Sequence, residues 1–310
     1  MTARKSNIPQ DSMFDVPRVR RKPMTSKTPD PIKDARRFHG WTQDKLEVLA
    51  LYLKKYRTVA GNGTYIDTCA GDGRAKIRGK IVDGSVAVAM TAGSFKELHL
   101  FELPEVMPAL KQFLEMKYTI RRRRRVHQHE GDVNKTLPKL LASGVIPRDR
   151  PCFAFVDPDS TQIDWNTVAA LAAYKSFDPT AKPVQCKVEQ WVLVNTGHAL
   201  QRHWTRDGSS LPPRASTQIL DRVMGGRDAW IDLHRAGVPA THLAHRYADR
   251  MMSELGYEYA VAHGIRGGNS SSRVQYFMVH ATDHVAAIDF MKWAESTPTR
   301  TRAREARLFG

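Results

Sequence analysis

Short apolar runs alternate with amphipathic stretches over most of the chain. "FAFV" at 153–156 and "WVLV" at 191–194 are continuously apolar, which is typical of strands buried on both faces of a sheet. Elsewhere apolar residues recur at helical spacing, as at Leu46, Leu49 and Leu53, which predicts helices. This alternation predicts an α/β fold with a mainly parallel sheet and helices on both faces.

The last two predicted strands form an antiparallel hairpin at the end of that sheet. Such a hairpin is unusual for a dinucleotide-binding fold but is expected in the Rossmann-like sheet of S-adenosylmethionine-dependent methyltransferases. The pattern therefore predicts a methyltransferase-type sheet, by analogy of architecture only. The predicted strands are "TYIDTCA", "ELHLFEL", "RRVHQHEGD", "PCFAFVDP", "EQWVLVNT", "YEYAVAHGI" and "SRVQYFMVHAT", and the predicted helices are "WTQDKLEVLALYLKKYR", "GSVAVAMTAG", "PEVMPALKQFLEMKY", "KTLPKLLASG", "WNTVAALAAYK" and "YADRMMSELG".

Composition divides the chain into a folded body and two basic ends. Residues 1–37 are rich in Lys, Arg, Pro, Ser and Thr and have no sustained apolar period, which predicts a disordered basic arm. Residues 38–293 form the predicted domain, in which the polar stretch at about 198–240 is interpreted as an insertion. Residues 294–310 are predicted to be a basic tail.

Charge and cysteine content indicate the kind of partner and the cellular compartment of the protein. The 310 residues include 48 Lys and Arg against 32 Asp and Glu, a formal net charge of +16, which favours a polyanion such as nucleic acid as partner. No apolar run is long enough to cross a bilayer. Cys69, Cys152 and Cys186 are few and scattered, which favours a reducing compartment and a cytoplasmic protein.

The stretch "YIDTCAGDG" ends a predicted strand in Asp67 and then provides Gly71 and Gly73. In an open α/β sheet the turn after the first strand is a common ligand site, and glycine there lets a cofactor approach the backbone. The spacing excludes a phosphate-binding Walker loop and disfavours a nicotinamide fingerprint. It predicts S-adenosylmethionine at this turn, while a purely structural turn capped by Asp67 is the alternative.

Two further acids follow the next predicted strands. Glu102 ends "ELHLFEL", where a carboxylate accepts hydrogen bonds from ribose hydroxyls in folds of this class. It comes about thirty residues after Gly73 rather than the usual ~20, because the predicted loop "RAKIRGKIVD" delays the first helix. Asp132 in "EGDV" is predicted to meet an adenine amino group, with a solvated turn as the alternative.

Asp157 and Pro158 end the fourth predicted strand, in "FAFVDPDS". The pair resembles the Asp-Pro site at which amino-methyltransferases hold the accepting nitrogen, where the carboxylate accepts from the amine. Those enzymes continue with an aromatic residue that stacks on the base. Here Asp159 and Ser160 follow, so no ring stands at the stacking position, while Asp157 remains available as acceptor or base.

Together these motifs resemble the three-Cys-motif partner protein (TcmP) family. The resemblance is carried by "GWTQDKLEVLALYL", "YIDTCAGDG" with "DGSVAVAM", "FAFVDP" leading to "WNTV", and "YFMVHATDHVAA". It implies a methyltransferase-type Rossmann protein whose partner is a radical-S-adenosylmethionine-like protein with three cysteines. It matches Asp67, Asp157, Gly71 and Gly73 to family positions, whereas the residues after Pro158 depart from the family's aromatic-glycine pair.

Basic and histidine-rich segments surround the third predicted strand. Residues Arg121, Arg122, Arg123, Arg124 and Arg125 are predicted to bind nucleic-acid phosphates, with a solvated loop as the alternative. His127 and His129 alternate along the strand, with no cysteine or carboxylate at standard metal-ligand spacing. His242 and His245, on a predicted helix, likewise lack a third ligand, so no metal site is predicted.

Two functions remain open from the sequence. The first is a nucleic-acid-directed methyltransferase, with Asp67, Gly71, Gly73, Glu102 and Asp132 around the cofactor and Asp157 near the acceptor. The second is a non-catalytic subunit that binds nucleic acid and a three-Cys-motif protein. The glycine turn favours the first, and the altered Asp-Pro motif favours the second.

Overall fold

The fold is given by a computed structural model that describes residues 37–38, 40–77, 80–92, 95–177, 185–197, 199–204, 210–266 and 274–296. The predicted arm, except Arg37, and the predicted tail after residue 296 lie outside these residues. The strands are β1 (Arg37–Phe38), β2 (Thr64–Asp67), β3 (Arg74–Ile77), β4 (Lys80–Asp83), β5 (Glu97–Glu102), β6 (Val126–Glu130), β7 (Cys152–Val156), β8 (Lys175–Phe177), β9 (Gln185–Lys187), β10 (Glu189–Val194), β11 (Tyr259–Arg266) and β12 (Val274–Thr282). The helices are α1 (Gly40–Ala60), α2 (Ser85–Ala92), α3 (Met107–Lys117), α4 (Ile120–Arg123), α5 (Val133–Ser143), α6 (Trp165–Ala173), α7 (Arg214–Met224), α8 (Ile231–Arg235), α9 (His242–Ser253) and α10 (285–296).

Seven of these strands form the main sheet, in the order β11-β12-β10-β7-β2-β5-β6. All run parallel except β12, which pairs antiparallel with both β10 and β11. This arrangement confirms the predicted methyltransferase-type Rossmann-like sheet and its C-terminal hairpin. Strand β7, near the centre of the sheet, is apolar and buried throughout because helices cover both of its faces.

Two apolar cores lie on the two faces of the sheet. One joins the sheet to α1, α2, α3 and α10 through residues such as Tyr52, Phe113 and Met291. The other joins it to α5, α6, α7 and α9 through residues such as Trp165 and Trp230. Alternate residues of a strand point to opposite faces, so neighbours in β7 such as Phe155 and Val156 belong to different cores.

Two segments contain helices or strands that the sequence did not predict. The predicted loop "RAKIRGKIVD" contains β3 and β4, which pair antiparallel from Arg74 opposite Asp83 to Ile77 opposite Lys80. Its alternating burial in β3 comes from Ala75 and Ile77, which face inward. The predicted insertion contains α7 and α8, and it is anchored by Trp230, which is buried and donates to Asp221 Oδ1 at 2.8 Å.

Candidate cofactor and acceptor cleft

A cleft of about 890 Å³ lies at the carboxyl edge of the main sheet. The segments that follow β2, β5, β6, β7 and β10 line it, and α1 and β12 each add side chains. Ligands of open α/β sheets bind at this edge, because the strands stop there and the following loops splay apart. Of the predicted site residues, Gly71, Glu102, Asp132, Asp157 and Pro158 all line the cleft.

The glycine turn after β2 is fixed by Glu102 at the end of β5. The amide of Gly71 donates to Glu102 Oε2 at 2.7 Å, and the amide of Leu103 donates to Oε1 at 2.9 Å. Gly71 has a φ of +60°, and a Cβ added there would meet no atom within 4 Å. The turn therefore presents bare backbone to the cleft, and each oxygen of Glu102 still has acceptor capacity for a hydroxyl group.

Gly73 has a different role from the one predicted. It does not line the cleft, and a Cβ at this position would lie 2.2 Å from the ring of Phe113 in α3. Its φ of +81° also favours glycine. Gly73 is therefore required by packing against α3 and by backbone conformation, and the prediction that it clears space for a cofactor is corrected.

Asp67 supports the turn from beneath the cleft. Its side chain is fully buried, with Oδ1 accepting from the Cys69 amide at 3.3 Å and Oδ2 from the Tyr65 hydroxyl at 3.2 Å. Burial raises the pKa of Asp67 to about 7, although a hydrogen bond from Ser85 opposes the shift. Asp67 is thus a structural part of the turn and lies behind the wall of the cleft.

Asp132 begins helix α5 and also faces the cleft. Its side chain accepts from the amide of Asn134 at 3.0 Å, as an N-cap residue does. Lys135 lies 3.8 Å from the same carboxylate. The turn role that was the alternative for Asp132 is therefore present, and a ligand would share the carboxylate with the helix cap.

Asp157 has the most unusual environment in the cleft. It follows β7, and its Oδ2 forms an ion pair with Lys45 of α1, a residue that sequence reasoning missed. Its Oδ1 is buried and, within the described part of the chain, has no hydrogen-bond partner. Burial raises the pKa of Asp157, while the positive charge of Lys45 opposes that shift. A buried oxygen without a donor is costly, so this atom is suited to receive a donor from a ligand.

Lys45 and Tyr276 also line the cleft. Lys45 is only 7% exposed, although it is a lysine. Its position three residues after Thr42 and four before Leu49 puts it on the buried face of α1, and that spacing is the signal that could have found it. Tyr276 comes from β12 and lines the cleft, so an aromatic ring is present there although none follows Pro158.

The arginine run lies at the opposite edge of the sheet. It occupies α4 and the segment that enters β6, whereas the cleft is reached where β6 ends, about 16 Å along a five-residue strand. Arg125 points inward and donates to the carbonyl oxygen of Phe95 at 2.7 Å. Arg123 lies 3.6 Å from Glu115, and Arg121, Arg122 and Arg124 are exposed.

Comparison with solved structures finds similarity to several methyltransferases. The chain is similar to the mitomycin 7-O-methyltransferase MmcR (13% identity, TM-score 0.34, 76% of this chain and 53% of that chain), so it spans about half of that protein. It is also similar to the methyltransferase domain of bacterial CtHen1-CN (14%, 0.43, 78% and 100%) and to the plantazolicin methyltransferase BamL (9%, 0.39, 86% and 79%). Likeness at this level does not extend to substrate or reaction.

No protein-family model and no curated protein matches the chain. The resemblance to the three-Cys-motif partner family therefore stays a prediction.

Among the described helices, none combines the length and apolar content that crossing a membrane requires. Cys69, Cys152 and Cys186 form no disulfide within the described residues, and Cys69, at the glycine turn, lines the cleft.

Proposed function

We propose that the protein is an S-adenosylmethionine-dependent methyltransferase that methylates a nitrogen atom of nucleic acid. The observation that carries this proposal is the unpartnered Oδ1 of Asp157, which shares one cleft with the bare backbone of Gly71 and with Glu102. A hydrogen-bond acceptor for an amine and a backbone surface for a cofactor thus lie within a single cavity. Its volume is within the range of small-molecule sites, about 300–1,000 Å³.

The cofactor end of the cleft fits S-adenosylmethionine. Gly71 leaves open space where a side chain would stand, so the methionine part can lie against the turn. Glu102 would accept from the ribose hydroxyls, and Asp132 would accept from the adenine amino group. When bound, S-adenosylmethionine supplies a methyl carbon activated by the positive sulfonium.

Asp157 would orient the accepting nitrogen. Its carboxylate can accept a hydrogen bond from an N–H group of the incoming amine. This hydrogen bond would turn the nitrogen lone pair toward the methyl carbon. In the transfer, a C–N bond would form as the C–S bond of the cofactor broke, and Asp157 or water would take the extra proton from the nitrogen. Burial raises the pKa of Asp157, and the positive charge of Lys45 opposes that shift and so favours the ionised carboxylate. Tyr276 offers a ring against which a base can pack.

Nucleic acid is the substrate class that charge favours. The formal net charge of +16 attracts polyanions, and the exposed Arg202 and Arg222 lie at the cleft itself. Arg222 already donates to Asp164 and to the carbonyl oxygen of Thr161, so its position is fixed. We therefore assign phosphate contacts near the acceptor to Arg202 and Arg222, and more distant contacts to the arginine run.

The experiment is transfer of a labelled methyl group from S-adenosylmethionine to separate pools of DNA, RNA and protein. We expect label in a nucleic-acid pool, and nuclease digestion followed by chromatography should locate it on a base nitrogen. Label only in protein would reject the substrate class while keeping the activity. No transfer to any pool, from a preparation that binds S-adenosylmethionine, would reject the catalytic proposal.

A second candidate is a non-catalytic subunit that binds a radical-S-adenosylmethionine-like protein with three cysteines. The observation that favours it is the ion pair of Lys45 with Asp157, which already engages one oxygen of the acceptor. The absence of an aromatic residue directly after Pro158 agrees with it. This candidate predicts no transfer by the chain alone, and a stable complex when the two proteins are co-expressed.

A further inference from the structure

A cluster of histidines crosses β5 and β6 on the sheet face that α5 covers. His99 lies directly opposite His127 in the strand register, and Phe101 lies opposite His129. Glu97 stands two residues before His99 and therefore on the same face. The ring centroids of His99 and His127 are 4.7 Å apart, and those of His99 and His129 are 5.2 Å apart.

Three potential ligand atoms of this cluster lie close together. His99 Nε2 is 3.5 Å from Glu97 Oε2, and His127 Nε2 is 3.9 Å from the same oxygen. All three atoms lie within 4.8 Å of one another. Two donors bound to one tetrahedral zinc ion, each at about 2.1 Å, are about 3.4 Å apart, so Glu97 and His99 already have this spacing.

The two imidazole nitrogens have no hydrogen-bond partner in the described part of the chain. His99 is completely buried, and both its Nε2 and the Nε2 of His127 are buried atoms without a hydrogen bond. Buried polar atoms nearly always have a hydrogen-bond partner, so two such nitrogens without one, both close to the same carboxylate, need an explanation. An ion bound between them supplies it.

The surroundings orient these ligands. His99 Nδ1 is 3.0 Å from His129 Nε2, so a proton on Nδ1 leaves Nε2 as a lone-pair donor. Such a bond from the second nitrogen is the usual support of a metal-bound histidine. Arg150 lies 3.5 Å from the other oxygen of Glu97, and its charge is balanced by a two-point contact with Asp149.

We propose that Glu97, His99 and His127 bind a divalent metal ion of the zinc class. Two imidazoles and one carboxylate suit zinc, and they leave a fourth position for water. His127 lies on the edge strand with 41% of its side chain exposed, so the ion enters there and the His127 ring has room to turn toward it. The ion would clip β6 to β5 near the amino ends of these strands, away from the cleft. The site was not predicted because its ligands come from two strands.

The test is titration of the metal-stripped, full-length protein with zinc chloride by calorimetry. The ligand variants are His127→Gln and Glu97→Gln, and the control is His242→Gln, which removes an exposed histidine of α9. We expect the parent and the control to bind one zinc ion that each ligand variant binds at least tenfold more weakly, in line with the effect of altering metal-site residues. Zinc should also raise the melting temperature of the parent and the control only.

Cobalt(II) gives a second readout, because its visible absorption reports coordination by nitrogen and oxygen donors. Loss of the cobalt spectrum in His127→Gln, with far-UV circular dichroism unchanged, supports the site. Zinc binding that is equal in the parent and both ligand variants overturns the proposal, as does an absence of binding in the parent. Neither outcome depends on methyl transfer.

Discussion

The two edges of the main sheet carry different chemistry. At the carboxyl edge, the turns after five parallel strands converge on one cleft that contains the glycine turn, Glu102 and Asp157. At the amino edge, β6 begins beside exposed arginines, and the first residues of β5 and β6 carry the cluster of Glu97, His99 and His127. The first edge gathers acceptors for a cofactor and an amine, and the second offers cationic and imidazole groups. Under the proposed function, the fold thus separates the reaction site from the surfaces that would bind an ion or a polyanion.

Asp157→Ala should have the largest effect, and it should be confined to the carboxyl edge. We expect methyl transfer to fall about a hundredfold or more, the usual scale for a positioned acid–base group, because the amine loses its acceptor. Affinity for S-adenosylmethionine should change little. The measurement is steady-state transfer of labelled methyl groups together with calorimetry.

The matched control for this variant is Asp283→Ala. Like Asp157, Asp283 is paired with a lysine, since its Oδ1 lies 3.3 Å from Lys187 Nζ. This ion pair lies at the amino edge of the sheet, away from the cleft. A comparable loss of stability without loss of turnover is expected. Equal activity losses in Asp157→Ala and Asp283→Ala would mean that the role of Asp157 is structural.

Lys45→Met should move the pH dependence of transfer. Removing the positive charge raises the pKa of Asp157 further, because burial then acts without opposition. The proposed mechanism needs the carboxylate, so the acidic limb of the rate profile should shift to higher pH. Lys187→Met is the control, and it should leave the profile in place. A profile unchanged by Lys45→Met would contradict the role given to the ion pair.

The smallest effect is expected from the arginine run. Changing Arg121, Arg122 and Arg124 together to Ser should flatten the dependence of log affinity on log salt by roughly one unit for each phosphate that these side chains neutralise. Turnover on short oligonucleotides should remain, because these side chains lie at the amino edge. Fluorescence anisotropy at several salt concentrations measures the slope. An unchanged slope would show that the run is a solvated surface.

The sequence could place several residues at the carboxyl edge because they follow directly after strands. Glu102, Asp132 and Asp157 each end a recognisable apolar run or begin the next helix, and parallel strands bring such positions together. The histidine cluster could not be found in this way. Its members are joined by the register of β5 against β6, which alternating residues alone do not specify.

Other differences arise from packing that local pattern does not reveal. Gly73 resembles a cofactor glycine in spacing, but the ring of Phe113, forty residues later, determines its role. Lys45 is a charged residue whose burial depends on Asp157, a partner that lies 112 residues away in the sequence. The β3–β4 hairpin was missed because, among its described residues, only Ala75 and Ile77 are apolar and buried.

The most direct measurement is calorimetric titration of the protein with S-adenosylmethionine, for the parent and two glycine variants. Gly71 and Gly61 have φ angles of +60° and +64°, and a Cβ at either meets no atom within 4 Å. Gly71→Val and Gly61→Val therefore impose similar backbone strain, but only Gly71 lines the cleft. We predict that the parent and Gly61→Val bind one S-adenosylmethionine, and that Gly71→Val binds it at least about tenfold more weakly. No binding by the parent, or equal binding by both variants, would contradict a cofactor site at this turn.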